Sequence, residues 1–267
     1  MFKTRLLSGI VLVILAILFI VLGGDVLLAA IGVISLIGMF ELYRVLKIEK
    51  SVLGMIGYLA AILYYLNLRF AFVPDIQILI FGFLILLLFA YVFSYPKFDA
   101  KQTMTAFFGF FYVAGMLSYV YQIRMLSHGE YLAFLVFICS WGCDTSAYCV
   151  GKLIGKHKMS PILSPKKSVE GAFGGVIGAA LLAALYSFIF RTQMEITTGE
   201  IWILAGITAV AALISMVGDL AASAIKRNYD IKDYGKLIPG HGGILDRFDS
   251  MIITAPIIYY LAFYIMK

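Results

Sequence analysis

Charged side chains are scarce in this chain: Asp, Glu, Lys and Arg make up 13% of its 267 residues, against 63% hydrophobic residues. Soluble globular domains are closer to a quarter charged and half apolar. A chain of this size has too little interior to bury so much apolar surface away from water. The shortage of charge, together with a mean hydropathy of +0.99, therefore predicts a protein that is dissolved in lipid.

Cysteine is also rare, and Cys139, Cys143 and Cys149 all fall in one apolar segment. Their spacing matches neither a disulfide framework nor a zinc-binding pattern. We therefore expect all three to be small buried hydrophobic residues.

Two further patterns are missing from the sequence. No apolar run alternates with polar residues at period two, so a transmembrane β-barrel is not expected. No nucleic-acid-binding motif occurs, although the net charge is +6. The basic residues stand in short loops between apolar runs, where anionic lipid headgroups, phosphate substrates and membrane topology explain them. We expect no nucleic-acid partner.

Long apolar runs are what the chain has in quantity. A membrane-spanning helix needs about 20 apolar residues. Runs of that kind lie near 6–22, 26–43, 52–68, 76–95, 104–122, 131–150, 170–190, 201–222 and 250–266. The first run is longer than a typical signal-peptide core and another follows at once, so we interpret it as a retained span. The sequence predicts an all-α, polytopic integral membrane protein with about nine transmembrane helices.

The loops between these runs differ in charge. With nine spans, all but Arg69, Arg124, Arg191 and Lys267 of the 21 Lys and Arg residues fall on one side. The positive-inside rule makes that side cytoplasmic. We therefore expect a multi-pass protein of the inner (plasma) membrane of the cell, with its active site at the cytoplasmic side.

The chain changes character near residue 130. Before that point, ionisable residues keep to the ends of the apolar runs, as in a scaffold. After it, two carboxylates lie inside apolar runs, and the two longest cytoplasmic loops follow, near 151–169 and 223–249. We predict an N-terminal transmembrane scaffold of about five spans over 1–130 and a C-terminal catalytic transmembrane region over 131–267.

Asp144 is the first of the two carboxylates. A lone acid at membrane depth costs roughly 2.5–3.5 kcal/mol on insertion scales, so it normally faces the interior of a helix bundle and has a partner. On a helix, Asp144, Tyr148 and Gly151 share one face. Both a structural hydrogen bond to a neighbouring helix and a contact to a ligand or metal ion are compatible with this placement.

Asp219 is the second carboxylate. Ser215, Asp219, Ser223 and Lys226 are spaced so that they form one polar stripe on a helix, and Arg227 follows at its cytoplasmic end. One interpretation is that Asp219 simply pairs with a neighbouring lysine. The further carboxylates that gather downstream favour a functional role instead.

The segment 226–250 combines backbone freedom with mixed charge. Its Pro and Gly residues disfavour a helix and let backbone N–H groups approach a ligand closely. Asp246 and Asp249 fall on one helical face near the start of the last span, where Asp249 or Ser250 could also cap the helix. Mg²⁺ takes oxygen ligands that are commonly completed by substrate phosphates, so this mixture favours phosphate held through a divalent cation.

His241, between glycines, is a candidate for phosphate contact or proton transfer. Three charges are equally compatible with plain solvated positions: Asp230, Lys232 and Lys236.

The loop over 151–170 contributes a cluster of lysines. A solvated loop on the positive side of the membrane explains these charges alone, but not the embedded Ser164-Pro165 pair or Glu170. Small residues at the start of a span most often mean close helix packing. We apply that interpretation to the four glycines that open the next run: Gly171, Gly174, Gly175 and Gly178.

Several segments together carry a resemblance to a known family. The downstream segments are Ser223-Ala224-Ile225-Lys226-Arg227, Lys232-Asp233-Tyr234-Gly235 and Pro239-Gly240-His241-Gly242-Gly243-Ile244-Leu245-Asp246-Arg247-Phe248-Asp249. The upstream segments are Asp144-Thr145-Ser146-Ala147-Tyr148 and Ser164-Pro165-Lys166-Lys167-Ser168. They closely resemble the long and specific signature of phosphatidate cytidylyltransferases (CDP-diacylglycerol synthases). The resemblance covers about residues 140–250, whereas the first 130 residues match only in being multi-spanning.

The resemblance implies transfer of CMP from CTP to phosphatidic acid, which gives CDP-diacylglycerol and pyrophosphate with the help of Mg²⁺ in phospholipid biosynthesis. CTP, phosphatidic acid and membrane lipid are the implied partners, and a second cation is compatible with the residues. A homodimer is expected only because the glycines are prone to pack.

On this resemblance we assign metal binding to Asp219 and Asp246, assisted by Asp249 and Asp144. We assign catalysis to Asp219, Asp246, Lys226, Arg227 and His241. We assign substrate binding to Ser164, Lys167, Ser168, Ser223, Lys232, Asp233, Gly242, Gly243 and Arg247.

Two rival functions compete with this assignment. A CTP-dependent lipid kinase of the polyprenol or phytol type would share the nucleotide and the membrane, but it transfers the γ-phosphate to an alcohol and releases CDP. The Lys-Asp to Asp-Arg-x-Asp signature speaks against it. A transporter also places charges inside spans, often in matched broken helices, and the two halves of this sequence show no such pair.

Overall fold

The fold is that of a helical membrane protein. A computed structural model describes the backbone over residues 2–265 and the side chains over residues 6–264. In that part of the chain nine continuous helices follow one another. They are α1 (Phe2–Leu22), α2 (Gly24–Val45), α3 (Val52–Phe70), α4 (Ile76–Phe93), α5 (Ala100–Arg124), α6 (Gly129–Ile154), α7 (Val169–Ile189), α8 (Thr198–Asn228) and α9 (Leu245–Ile265).

The helices confirm the predicted fold class. Seven of the described helices, α2 to α8, are long and apolar enough to cross a membrane, and α1 contains the shorter apolar stretch Leu6–Leu22. Within the membrane-spanning α4, the buried side chains are Phe83 and Leu87. A helix that is apolar all round and so little covered by its own protein is typical of a helix that faces lipid.

The chain divides into two compact units. The first consists of Met1–Ser118 and Asp233–Arg247, and the second of Tyr119–Lys232 and Phe248–Lys267. The first unit thus combines the N-terminal helices with a loop from the far end of the sequence. The functional division at residue 130 is a different kind of boundary and stays a prediction.

Tyr43 organises the centre of the first unit. Its ring is fully buried, and its hydroxyl donates to the carbonyl of Ala106 on α5 at 2.6 Å. A side chain at Gly57 or Gly109 would collide with this ring, so both glycines make room for it. Because the hydroxyl has an acceptor, the buried ring leaves no unpaired polar group at that position.

One turn of α5, Phe110–Gly115, is a π-helix. The carbonyl of Ala114 within this turn accepts a hydrogen bond from the Tyr65 hydroxyl on α3 at 3.1 Å. The same hydroxyl lies 2.7 Å from Ser35 Oγ on α2. These polar contacts join α2, α3 and α5 in the interior of the first unit.

Close contact between α6 and α7 forms the core of the second unit. A Cβ atom at Gly174 would meet Val150, and one at Gly178 would meet the side chain of Ser146. The expectation that the glycines opening this span serve close helix packing is confirmed, since small residues are what allow two backbones to approach in a membrane.

The cysteine expectation is confirmed for two residues and wrong for the third. Cys139 and Cys143 on α6 are buried, as predicted, whereas Cys149 on the same helix is exposed. Position 149 is not on the side of α6 that its neighbours cover.

A small β-hairpin separates α6 from α7. Its strands β1 (Lys158–Ser160) and β2 (Ser164–Ser168) pair antiparallel. Glu170 fastens the start of the hairpin, because its carboxylate accepts from the backbone N–H groups of Lys156 and His157 and lies 2.6 Å from His157 Nδ1. The loop predicted over 151–169 is therefore folded rather than a simple solvated connection.

Candidate active site

The first group of candidate residues lies on a segment that we call the glycine loop, residues 233–244, which leads directly into α9. Ile238 and Gly242 pair across a tight turn. Gly240 and Gly242 have φ angles of 78° and 91°, a backbone region that side-chain-bearing residues rarely adopt. The expectation that these residues do not form a helix is confirmed.

Asp246 ties the glycine loop to the first turn of α9. Its side chain is 5% exposed, and its Oδ2 atom accepts from the backbone N–H of Tyr234 at 2.7 Å and of Gly243 at 3.0 Å. A Cβ atom at Gly242 would lie 2.9 Å from the same oxygen. The predicted metal ligand is therefore also the side chain around which the loop is wrapped.

Two residues of α2 that sequence reasoning missed also hold the glycine loop. The carboxylate of Glu41 accepts from the backbone N–H groups of Ile244 and Leu245, and the Arg44 guanidinium donates to the carbonyl of Tyr234. A signal for Glu41 was present, because it is a lone carboxylate inside the predicted apolar run 26–43, as Asp144 is in its own run. It stands near the end of that run, where charges are ordinary, so the signal is weaker than that of Asp144.

His241 contacts the first helix. The hydroxyl of Ser8 on α1 donates to the carbonyl of Pro239 at 3.1 Å and lies 2.7 Å from His241 Nδ1. Either Nδ1 or the hydroxyl can supply the proton of the Ser8–His241 contact, because the role of Nδ1 depends on the tautomer of the ring. The imidazole is thus oriented by a residue far away in the sequence.

The remaining predicted residues of this region differ in burial. Arg247 is half-buried in the first turn of α9, and Gly243 is buried against the Glu41 carboxylate. Lys232 and Asp233 are exposed where the loop begins. The charges thought compatible with solvated positions are indeed exposed: Asp230, Lys232 and Lys236.

In the second unit, Lys167 on β2 forms an ion pair with Asp219 on α8. The two side chains are 27% and 20% exposed, so both charges are largely removed from solvent. This is the pairing with a lysine that the sequence left open for Asp219. It brings the hairpin and the polar stripe of α8 together at the residues predicted as a phosphate contact and a metal ligand.

The other predicted residues of the hairpin and of α8 surround this pair in sequence. Ser168 is buried, and its hydroxyl accepts from Gly171 N–H at 3.1 Å, so it caps α7. Ser164, at the start of β2, is half-buried. On α8, Ser223 and Lys226 are half-buried and Arg227 is exposed, which places the basic residues in the last turn of the helix.

Asp144 and Asp249 occupy different environments. Asp144 follows directly on a π-helical turn of α6, Ile138–Gly142, and it is exposed, so the expectation that it faces a bundle interior is wrong for this structure. Asp249 is 7% exposed. The backbone carbonyl of Asp249 would lie 3.4 Å from a Cβ atom at Gly218, which places it beside the residue that precedes Asp219.

The proposed cap of the last helix is corrected by the structure. α9 begins at Leu245, so Asp249 and Ser250 lie inside the helix and cannot be its N-cap. The Oδ1 atom of Asp249 accepts from the neighbouring Ser250 N–H at 2.8 Å. The rival explanation for Asp249 as a helix cap is thereby removed.

The acids of the two polar clusters are the candidate ligands for a divalent cation. Among the described residues, no three His, Cys, Asp or Glu side chains come together as a metal-binding group. Mg²⁺ does not need such a cage, since it is usually held by one or two carboxylates, several waters and substrate phosphates. Asp219 already has a cationic partner in the Lys167 ammonium group. A divalent cation would therefore need water and substrate phosphates to complete its coordination.

Comparison with known proteins identifies the family. Residues 3–265 match the Cytidylyltransferase family. The chain belongs to this family. Among the relatives is the phosphatidate cytidylyltransferase of Bacillus subtilis (strain 168), which is 34% identical over 270 residues covering 97% of each chain. That of Staphylococcus aureus (strain COL) is 33% identical over 263 residues, or 96% of this chain and 97% of that protein.

Membership in the cytidylyltransferase family has two consequences. It identifies the chain as a nucleotidyltransferase of the membrane and gives no support to the lipid-kinase alternative. The match also reaches well beyond residues 140–250, where the sequence motifs lie. The N-terminal helices that carry Ser8, Glu41 and Arg44 therefore belong to the same family framework as the glycine loop.

Proposed function

We propose that this protein is a phosphatidate cytidylyltransferase, which transfers CMP from CTP to phosphatidic acid and releases pyrophosphate. The observation that carries the proposal is the full-length similarity to proteins of that name. The geometry supports it through two polar clusters of the kind that phosphates require. One is the Lys167–Asp219 pair, and the other is the glycine loop around Asp246.

The chemistry needs no side-chain nucleophile. A phosphate oxygen of phosphatidic acid attacks the α-phosphorus of CTP, a new P–O bond forms, and the bond from the α-phosphorus to the bridging oxygen of pyrophosphate breaks. Phosphatidic acid is already an anion at neutral pH. The protein therefore has to bring two anions together and stabilise charge on the leaving group, which is the work of positioned cations and N–H donors.

The residues have distinct proposed tasks in this reaction. Lys167, Lys226, Arg227 and Arg247 neutralise phosphate oxygens, and the small residues Gly242 and Gly243 let these oxygens approach the loop backbone. Mg²⁺ would be held by Asp219 and Asp246, with help from Asp249 and Asp144, and would supply charge neutralisation of the phosphates. His241 is the candidate for contact with a phosphate or for proton transfer.

The membrane setting is part of the same proposal. The apolar helices dissolve the protein in lipid, so phosphatidic acid can reach the site laterally while CTP arrives from water. We place the site at the cytoplasmic face of the inner membrane, because the basic residues gather on that side of the predicted topology. The homodimer stays a prediction, and the α7 glycines that suggested it contact α6 within the same chain.

Differently labelled CTP tests the proposed reaction. Purified protein with Mg²⁺ and phosphatidic acid should place the label of [α-³²P]CTP in the lipid and that of [γ-³²P]CTP in pyrophosphate. Label from the γ-position in a lipid would point to a kinase, and substrate flux without CTP turnover would point to a transporter. Asp219→Asn should lose the lipid product, whereas Asp230→Asn, at an exposed loop acid, should keep it. An inactive wild-type protein would refute the proposal.

A further inference from the structure

The carboxylate of Glu41 is buried at the end of α2 and faces the start of α9. It is 4% exposed, and its two oxygens are used separately. Oε1 accepts from Ile244 N–H at 3.2 Å, and Oε2 accepts from Leu245 N–H at 2.8 Å. Burying an acid is costly unless such bonds compensate for lost water, so this arrangement is specific rather than incidental.

These two N–H groups lie where a helix lacks its own acceptors. The first turn of any α-helix leaves its N–H groups without intrahelical partners, and the helix dipole favours a negative charge there. Leu245 is the first residue of α9. Glu41 thus caps α9 from another helix, in place of a residue just before the helix.

The glycine loop is shaped to admit this carboxylate. A side chain at Gly235 or Gly243 would collide with Glu41, and a Cβ atom at Gly235 would also lie 2.9 Å from Gly243 Cα. Gly243 has no positive φ to explain its identity. Both positions require glycine because their backbone atoms lie too close to Glu41 to leave room for a side chain.

The contacts of Glu41 lead directly to Asp246. The residue after the capped Leu245 is Asp246, whose Oδ2 accepts from Tyr234 N–H at 2.7 Å. The carbonyl of Tyr234 in turn accepts from Arg44, one helical turn after Glu41 on α2. Both ends of the glycine loop are therefore fixed to α2, one through each of these two charged side chains.

We infer that Glu41 is a positioning residue of the active site: it fixes the first turn of α9 so that Asp246 and Arg247 are held ready for the nucleotide phosphates. Glu41 acts through the loop and does not contact substrate. This inference rests on the proposed cytidylyltransferase reaction, because that reaction gives Asp246 and Arg247 their roles.

Glu41→Gln is the direct test. The amide cannot accept through both ends, so one N–H at the start of α9 loses its acceptor. We expect kcat for lipid cytidylylation to fall about 10- to 100-fold, as for loss of a hydrogen bond to a charged group. The KM for phosphatidic acid should stay within about twofold, because Glu41 does not touch the lipid. Trypsin should cleave the substrate-free protein faster after the exposed residues Lys232 and Lys236.

Glu49→Gln is the matched control, since Glu49 lies in the loop after α2 and its carbonyl accepts from Tyr58. It should leave kcat and trypsin cleavage unchanged. An unchanged kcat in Glu41→Gln, or a fall that Glu49→Gln shares, would overturn the inference. A loss of thermal stability that by itself accounts for the lost activity would also overturn it.

A second variant keeps the test decisive if Glu41→Gln does not fold. Arg44→Gln releases the other end of the glycine loop while keeping the Glu41 carboxylate and its two N–H donors, and it should give the same pattern with a smaller fall in kcat. Normal kcat and normal cleavage in Arg44→Gln would refute the positioning role. If wild-type protein makes no labelled lipid, the proposed function fails, whereas the trypsin comparison still measures whether Glu41 holds the loop.

Discussion

Lys167 and Asp219 neutralise each other's charge. A partly buried ion pair of this kind is costly to break from one side, because the remaining charge keeps its desolvation cost and loses its partner. In the presence of phosphates and a divalent cation, both side chains have alternative partners of the right sign. The pair is therefore suited to exchange partners when CTP binds.

Lys167→Gln tests this role at a single residue. We expect kcat/KM for CTP to fall about 10- to 100-fold, since glutamine can neither neutralise Asp219 nor hold a phosphate oxygen through charge. Steady-state kinetics in detergent or nanodiscs would measure it. Lys166→Gln, at the exposed neighbour on the same strand, is the matched control and should change little. Equal effects of the two variants would contradict a specific role for Lys167. They would mean that both lysines contribute only to the overall positive potential of the hairpin.

Individual residues were predictable from sequence where a polar group interrupts an apolar run. Asp219 was found in this way, whereas Asp246 was singled out by the mixture of charges and glycines around it, and both have specific partners in the structure. Their partners were not predictable, because Lys167 lies 52 residues from Asp219. Glu41 was passed over because it stands near the end of its run, where charges are ordinary.

At the scale of helices and strands, hydrophobic run length was sufficient to place the spans. The nine predicted runs each overlap one described helix, and residue 266 at the end of the last run lies outside the described residues. Run length carries no information on how a helix is wound, so the π-helical turns of α5 and α6 were not foreseen. The hairpin was missed for another reason: strands of three and five residues, fastened by Glu170, have no hydrophobic period to detect.

The contact between α6 and α7 gives a prediction at this scale. Gly174→Ala would bring a Cβ atom within 2.6 Å of Val150 Cγ1, so the helices must separate. Overpacking of this kind typically costs about 1–3 kcal/mol, which thermal unfolding in detergent would detect as a lower Tm. Gly206→Ala on α8 is the control, because a Cβ atom there has nothing within 4 Å and alanine favours a helix. A Tm for Gly174→Ala as high as that of Gly206→Ala would contradict the close contact.

At the scale of the whole molecule, the sequence and the structure divide the chain differently. Composition separates residues 1–130 from the rest, because ionisable groups enter the spans only later. Packing instead returns residues Asp233–Arg247 to the unit of the N-terminal helices. Pattern within a sequence cannot reveal such a return, since it depends on long-range contacts such as that of Ser8 with His241.

Membrane orientation is testable on the whole protein. After replacement of Cys139, Cys143 and Cys149, single cysteines at the exposed positions Lys158 and Gln193 report on the two ends of α7. An impermeant maleimide should label Gln193→Cys in intact cells and Lys158→Cys only after permeabilisation, because the proposed topology puts the basic hairpin on the cytoplasmic side. The reverse result would invert the proposed topology, and labelling of both from one side would mean that α7 does not cross the membrane.

The π-helical turn before Asp144 determines the direction in which each later side chain of α6 points. Ile138–Gly142 takes up one residue more than an α-helical turn would hold. If the same residues were wound as a regular α-helix, each later side chain would rotate by about 100° about the axis. A chain that is one residue shorter in this turn would reach Asp144 in the same orientation through an ordinary helix. A one-residue gap at this point in an alignment of related sequences would therefore indicate that the π-helical turn is replaced by an α-helical one. The acid at position 144 would keep its orientation.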